Sequence, residues 1–325
     1  MKPFRALAAT IAVALAVVGP SASAQPYPNK PVKVITPFPA GSGPDVALRL
    51  VGERLSKIWG HQVVVDNRPG GNGFIALQAA KQSQPDGYTL VEVDNYHLAA
   101  HPHLYKKLPY DPVKDFDPVA PLLRNYFFIA VPATSPWKNV NDLLAAAKAK
   151  PGEITYGSWF IGSPGHIGAA ALEGASGTKM NHIPFKDMNQ LYGSVGVGDV
   201  NWALGSAASA GALYKGGKIK FLAVAAPTRI AGYTDVPTVA EAGGPANYEV
   251  SAWISLLAPK GTPPAIVAKI NQDIAKVLSD PDIQARYATF AYEPFKATPA
   301  EMVKLFENES RKFGEIVKRS NISLE

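Results

Sequence analysis

PFPAGSGPD, Pro37 to Asp45, is the stretch whose reading decides the fold. It follows a short strand, Val32 to Thr36, in which Val32 and Val34 alternate with Lys33. It runs straight into an amphipathic helix, where Ala47, Val51, Leu55 and Ile58 share one face and Gly60 is the stop. Ser42 as N-cap, Pro44 in the first turn and Asp45 three residues after the cap read as a helix start. A strand–glycine loop–helix junction presents free backbone N–H groups and the positive end of a helix dipole, which suits an anion such as a carboxylate. A tight βα turn with no ligand is the competing reading of the same residues.

Outward from this loop the pattern repeats. Val63-Val64-Val65 reads as a buried strand, Asp66 to Gly73 as a second glycine-rich loop, and Phe74 to Lys81 as a second helix. The turn Pro85-Asp86-Gly87 leads to a third strand, Tyr88 to Val93. Strands and helices alternating through short loops predict a parallel, doubly wound sheet, whose ligands sit outside the carboxyl ends of the strands. Both glycine-rich loops fall on that edge. Asp94 to Val119 reads as a long irregular surface excursion rich in His, Pro and Lys.

A second series begins at the strand Phe127 to Val131. It continues with a helix over Asn141 to Lys150, a strand over Ile154 to Tyr156, and a loop, Gly157 to Gly165, that opens a helix near His166. Ile183 to Phe185, Val200 to Leu204, Phe221 to Val224 and Trp253 to Ala258 read as further strands. Helices over Pro264 to Leu278 and Pro299 to Val317 finish the chain, the last with the capping-box pattern Thr298, Pro299, Glu301. The terminal helices are too few for a third lobe and return to the first. The reading is therefore two α/β lobes with a double crossover and a cleft that closes on a solute. Residues 25–126 and 253–325 form the first lobe and 127–252 the second.

Length agrees: 325 residues predict about two domains at ~150 residues each. Lys2 and Arg5 precede the apolar run Ala6 to Val18 and the small-residue sequence Ala22-Ser23-Ala24, a signal-peptide pattern over residues 1–24 with cleavage before Gln25. Without Lys2 and Arg5 the formal charge goes from +6 to +4, a modest surplus spread along the chain. Basic residues do not cluster with aromatics, which argues against nucleic acid. The absence of cysteine excludes a thiol nucleophile, a thiolate metal site and a disulfide frame. An exported, monomeric, periplasmic binding protein is the class that fits.

The segments YPNKPVKVITPFPAGSGPD, VVVDNRPGGNG, PDGYTL, YKKLPYDPVKDFDPVA, DVPTVAEAG and LLAPKGTPPAIVAKIN span nearly the whole mature chain. In that order they resemble the Bug family, the periplasmic substrate-binding proteins of tripartite tricarboxylate transporters. The resemblance implies a Venus-flytrap fold of type II-like form, each lobe a mainly parallel sheet flanked by helices, binding a small organic carboxylate and no cofactor. It also implies membrane permease subunits as the partners that take delivery. The first-lobe loops of the family correspond here to Pro39–Asp45, with Ala40, Gly41 and Ser42, and to Asn72 and Gly73. The second-lobe loop corresponds to Gly157–His166, with Gly162, Ser163 and His166; Pro184, Phe185 and Lys186 follow, then the strand end Leu204-Gly205-Ser206. Amino-acid-binding members tend to carry Asp where this chain has Gly205, and an unpaired buried ammonium is costly, so an amino acid is disfavoured. The Ser-Ser-Gly start of the second-lobe loop is replaced by Gly157-Ser158-Trp159-Phe160. Two added aromatics favour an aromatic mono- or dicarboxylate such as terephthalate, through ring stacking.

Each residue has a second reading. The Ser42 hydroxyl either caps its helix or meets the ligand. Asp45 reads as structural, since it would repel an anion, and Asp66 and Arg68 pair within their loop. Trp159 and Phe160 are adjacent on an extended stretch and point to opposite faces, so one lines the cleft and the other packs as core. His166 lies at a helix start, Phe38 at the pocket wall, and Lys186 in solvent or near a second carboxylate. His97, His101 and His103 invite a metal reading, but His101 and His103 alternate in a loop with no acidic partner at ligand spacing, which speaks against zinc. Gly70-Gly71-Asn72-Gly73 is neither a dinucleotide fingerprint nor a Walker loop. No G-x-S-x-G elbow supports a serine hydrolase, and a sensor protein signalling to a membrane kinase shares the receptor reading.

Overall fold

Two sheets carry the architecture of the computed structural model, which describes residues 27–159, 161–320, 322 and 324. The expected signal segment and Phe160 lie outside these. In chain order the first elements are β1 (Val32–Thr36), α1 (Gly43–Trp59), β2 (Val63–Asn67), α2 (Phe74–Lys81), β3 (Thr89–Asp94), the short α3 (His101–Leu104) and β4 (Phe116–Tyr126). The second group is β5 (Phe128–Pro132), α4 (Val140–Ala149), β6 (Thr155–Ser158), α5 (Pro164–Ser176), β7 (Asn181–Pro184), α6 (Met188–Val197), β8 (Trp202–Gly205), α7 (Ala207–Lys215) and β9 (Ile219–Val224). The chain ends with β10 (Ser251–Pro259), α8 (Pro264–Val277), α9 (Pro281–Thr289), β11 (Tyr292–Pro294) and α10 (Pro299–Arg319).

The six-stranded sheet has the order β11-β4-β10-β3-β1-β2 and the five-stranded sheet β7-β6-β8-β5-β9. β1 pairs in parallel with β2, Val32 opposite Val63, and with β3, Lys33 opposite Thr89. β6 pairs in parallel with β7 and β8. Parallel pairing thus covers the half of each sheet that carries the βα loops. The strands next to each crossover, β4, β10 and β5, pair antiparallel, because the chain leaves one sheet and re-enters the other through them. Only Phe127 separates β4 in the first sheet from β5 in the second.

α1 buries Ala47, Leu48, Val51 and Leu55 against Ile270 and Ile274 of α8, and its Gly60 C-cap is left-handed at φ 68°. α10 has the anticipated capping box, the Thr298 side chain accepting from the Glu301 N–H while Glu301 accepts from the Thr298 N–H. This helix does more than return to the first sheet. Phe306 stacks on Trp253, whereas Phe313, Ile316 and Val317 join a core cluster with Ile167, Leu204 and other second-sheet residues.

The segment after β3 corrects the expectation of an irregular surface excursion. Tyr96–Ala100 forms a buried π-helical turn that runs into α3, with Tyr96 against Phe313 and Leu104 in the same core. His and Pro masked a segment that is apolar at Tyr96, Leu98, Ala99, Ala100 and Leu104, all of them buried. β4, the next regular element, is an eleven-residue strand.

Candidate functional site

The loop after β1 is held by Asp45. Its carboxylate accepts from the Gly41 N–H at 2.8 Å, from Arg49 Nε at 3.1 and 3.0 Å, and from Asn67 Nδ2 at 2.8 Å. Asn67 also donates to the Phe38 carbonyl, which ties the loop to the end of β2. Burial raises the Asp45 carboxyl, but the hydrogen bonds from Arg49, Asn67 and Gly41 outweigh it and hold the group below the ordinary carboxylate range. Asp45 is thereby an internal tie and not a ligand group. Ser42 has the extended N-cap conformation, φ −67° and ψ 161°, yet its side chain makes no cap hydrogen bond. Its Oγ is buried and has no partner. The first N–H groups of α1 also lack an intrahelical partner, as at any helix start. An unpartnered hydroxyl therefore stands at the start of a helix whose first turn it does not cap. Ala40 and Gly41 are exposed at the loop tip, Gly41 at φ +79°, and Phe38 is half-buried with its ring edge against His97.

The loop after β2 lies beside it. A Cβ on Gly73 would stand 3.4 Å from Pro37 Cβ, and Gly73 is buried in the left-handed region at φ +85°. It is the N-cap of α2, with no side-chain cap. Asn72, itself at φ 49°, donates its amide to the Tyr105 hydroxyl. Arg68 pairs with Asp66 at 2.9 Å within the loop, as the sequence reading expects.

The second-lobe loops are arranged differently, because their helix starts are satisfied internally. Ser163 caps α5 by accepting from the His166 N–H, and Ser206 caps α7 in a reciprocal box with Ser209. His166 Nδ1 accepts from the Gly162 N–H at 3.0 Å, which places the ring proton on Nε2. The ring stacks on His182 at 3.9 Å, and His182 Nε2 meets Ser158 Oγ at 2.7 Å. Burial, with His182 adding to it, pushes His166 down to about 3, and burial pushes His182 to about 4; both rings are neutral donors or acceptors near pH 7. Trp159 is 8% exposed, stacked on Phe127 at 5.7 Å, and packed on Gly165, so its ring is core packing. Phe185 is half-buried, its N–H donating to the Ser158 carbonyl, and Lys186 is exposed. Gly205 is buried under Tyr192; a Cβ there would stand 3.0 Å from the Tyr192 ring and 2.8 Å from Ala210 Cβ. No side chain fits at 205 without displacing Tyr192, whose hydroxyl donates to the Leu204 carbonyl.

The two sets of loops meet. A Cβ on Gly43, at the start of α1, would lie 3.6 Å from Ala208 Cβ at the start of α7, and would collide with the Tyr292 hydroxyl. A Cβ on Gly162 would lie 2.8 Å from Leu104 of α3. The helix starts of Ser42 and Ser206 thus face each other across the cleft. Two open depressions elsewhere, one lined by Arg54, Lys276 and Asp280 and one by Thr262, Asn271 and Thr298, include none of these residues.

Sequence reasoning missed Tyr292, which reaches Gly43 from β11 near the far end of the chain and carries no local signal. It also missed the loop after β3. Sheet order places β1 between β2 and β3, so three βα loops and not two share that edge. Asp94 at the β3 end with His97 three residues on was the available signal. Asp94 Oδ1 accepts from the His97 N–H at 3.0 Å and contacts His97 Nδ1 at 2.5 Å.

Residues 47–322 match the family described as the tripartite tricarboxylate transporter family receptor. A UPF0065 protein of Bordetella bronchiseptica is 34% identical over 316 residues, 95% of this chain and 91% of that protein. Among solved structures, Rpa4515 of R. palustris with adipate superposes with a TM-score of 0.83 at 30% identity, covering 92% of this chain and 100% of that one. MatC of Rhodopseudomonas palustris with bound malate gives 0.78 at 26% identity, covering 90% and 100%.

Proposed function

This chain belongs to the tripartite tricarboxylate transporter family of receptors, and from that premise we propose that it is a periplasmic receptor closing two lobes on a small organic carboxylate for delivery to a membrane permease. One observation carries the reading: the uncapped start of α1, with the buried and unpartnered Ser42 hydroxyl, faces the start of α7. A free hydroxyl and two positive helix ends in one place favour a negative charge with directional acceptors, which describes a carboxylate. The site set is Phe38, Ala40, Gly41, Ser42, Asn72 and Gly73 from one side. From the other come Gly162, Ser163, His166, Phe185, Gly205 and Ser206. The adipate- and malate-bound neighbours support the same chemical class. Residues 1–24 act in this reading as the export signal.

Within the class, Gly205 supports exclusion of amino acids, because the position where an ammonium would need a counter-charge is closed by Tyr192. Support for an aromatic guest such as terephthalate now rests on Phe38 and Phe185 among the described residues, since Trp159 is stacked on Phe127. The test is a thermal-shift panel of adipate, malate, terephthalate, benzoate and glutamate. A true ligand at 100 times its Kd adds ~2.7 kcal/mol. Stabilisation by a carboxylate and none by glutamate is expected. Stabilisation by glutamate alone, or by no carboxylate at all, overturns the reading.

A further inference from the structure

Tyr292 of β11 brings a phenol to the opening loop from near the far end of the chain. In the ladder it lies opposite Asn125, at the C-terminal end of β4. β4 and β3 both pair antiparallel with β10 and so run the same way as β1, which places this end on the edge that carries the βα loops. The ring is fixed from two sides, edge-on to Tyr287 at 6.0 Å and stacked on Phe290 at 5.6 Å. Its hydroxyl fills the side-chain space of Gly43, the first residue of α1. A Cβ built there would overlap the hydroxyl, while standing 3.3 Å from the ring carbon Cζ and 3.6 Å from Ala208 Cβ of α7. Tyr292 is 7% exposed, and among the described residues its hydroxyl has no hydrogen-bond partner. Ser42, the residue before Gly43, also has a buried hydroxyl without a partner. Buried tyrosine hydroxyls are normally bonded, because an unmet one carries a desolvation cost. Two unmet hydroxyls at one helix start, with a second helix start facing them, call for a guest with acceptor oxygens. Burial, with Glu92 adding to it, pushes the phenol further up from its ordinary value and keeps it an O–H donor.

We propose that Tyr292 is a ligand-binding residue of the cleft, its hydroxyl donating to a carboxylate oxygen seated between the starts of α1 and α7. The proposal rests on the receptor reading above and adds to its site a side chain from β11. A carboxylate accepts through two oxygens with two lone pairs each, so one guest serves Tyr292 and Ser42 together. A hydrogen bond to a charged acceptor is about twice as strong as one between neutral groups. Tyr287 and Phe290 already lock the ring, so capture costs this side chain little freedom. Gly43 belongs to the same arrangement, because only a residue without a Cβ leaves room for the hydroxyl.

Calorimetric titration of the mature chain with adipate, malate, terephthalate and benzoate tests the contact. Tyr292→Phe keeps the ring and removes the hydroxyl alone. A loss of about tenfold in affinity is expected for each carboxylate that binds the unaltered chain. The melting temperature without ligand should equal or exceed that of the unaltered chain, because Phe deletes an unmet buried polar group. Tyr287→Phe deletes the neighbouring buried and unpartnered hydroxyl and retains full affinity. Gly43→Ala gives an independent reading, and serves alone should Tyr292→Phe not fold. Its Cβ displaces the hydroxyl, so it lowers affinity about tenfold in the unaltered chain and far less in the Tyr292→Phe background, where the space is open. Unchanged affinity in Tyr292→Phe or in Gly43→Ala, or an equal loss in Tyr287→Phe, overturns the proposal and leaves the receptor reading standing. If none of the four compounds binds the unaltered chain, the receptor reading fails and the role of Tyr292 with it.

Discussion

Replacing Glu92 by Gln makes the chain more stable at alkaline pH and leaves it nearly unchanged in mild acid. Glu92 lies on β3, fully buried behind the β1 loop. Thr36 Oγ1 donates to its Oε2 at 2.6 Å and accepts from the Phe38 N–H, while Oε1 has no partner. Burial first, with Asp45 and Asp94 adding like charge, pushes this carboxyl from 4.5 up to about 8 against the opposing Thr36 bond. The folded chain thus holds a proton that the unfolded chain has released. Its stabilising contribution is complete below about pH 4.5, declines as pH rises, and is gone above about pH 8. A displacement of this size corresponds to about 5 kcal/mol between the two limits. Gln keeps an acceptor for Thr36 and cannot ionise. Urea unfolding followed by tryptophan fluorescence, from about pH 5 to pH 9, gives the difference between the two chains, in which all other titrations cancel. The Gln variant should gain steadily, reaching about 5 kcal/mol at the alkaline end. Parallel stability curves, or a less stable Gln variant at high pH, would refute the reasoning.

Two serine substitutions separate capping from binding. Ser163→Ala removes a side chain that accepts from the His166 N–H and should cost ~1 kcal/mol in urea unfolding. Ser42→Ala, whose hydroxyl caps nothing, should change stability by less than ~0.5 kcal/mol yet weaken carboxylate binding about tenfold; an N-cap-sized stability loss with intact affinity would reverse its role. Gly205→Asp, the change that would imitate amino-acid-binding relatives, should destabilise by ~2 kcal/mol or more without conferring glutamate binding, because the carboxyl collides with Tyr192 and Ala210. A stable variant that binds glutamate would show that Tyr192 yields.

The alternation of strands and helices was legible because each element announces itself within a few residues. Helix α2, Phe74–Lys81, has the bounds its periodicity implied, and α10 has the capping box of Thr298 and Glu301. Helix start and helix cap, in contrast, come apart at Ser42. Its extended conformation was predictable from the residue type, but whether its oxygen bonds the helix depends on Asp45, which takes the Gly41 N–H and sets the loop's path. Trp159 shows the same limit. A strand period assigns adjacent aromatics to opposite faces, and only the proximity of Phe127 at the crossover says which way this one turns. The buried turn at Tyr96–Ala100 was hidden by His and Pro, whose usual surface habit was overridden by packing against α10.

By itself the sequence determined the two-lobed α/β class and the glycine-rich βα loops. These follow from local periodicity and from glycine at a tight turn. Tertiary structure alone decided which atoms those loops leave free. Tyr292 reaches Gly43 from β11, Tyr192 closes the space at Gly205, and His97 is seated against Gly73 by a third loop whose place is set by strand order. The opening loop at Pro37–Asp45 takes its path from its own residues, Asp45 holding the Gly41 N–H. The side chains that meet it come from distant parts of the chain, and no local pattern encodes such pairings.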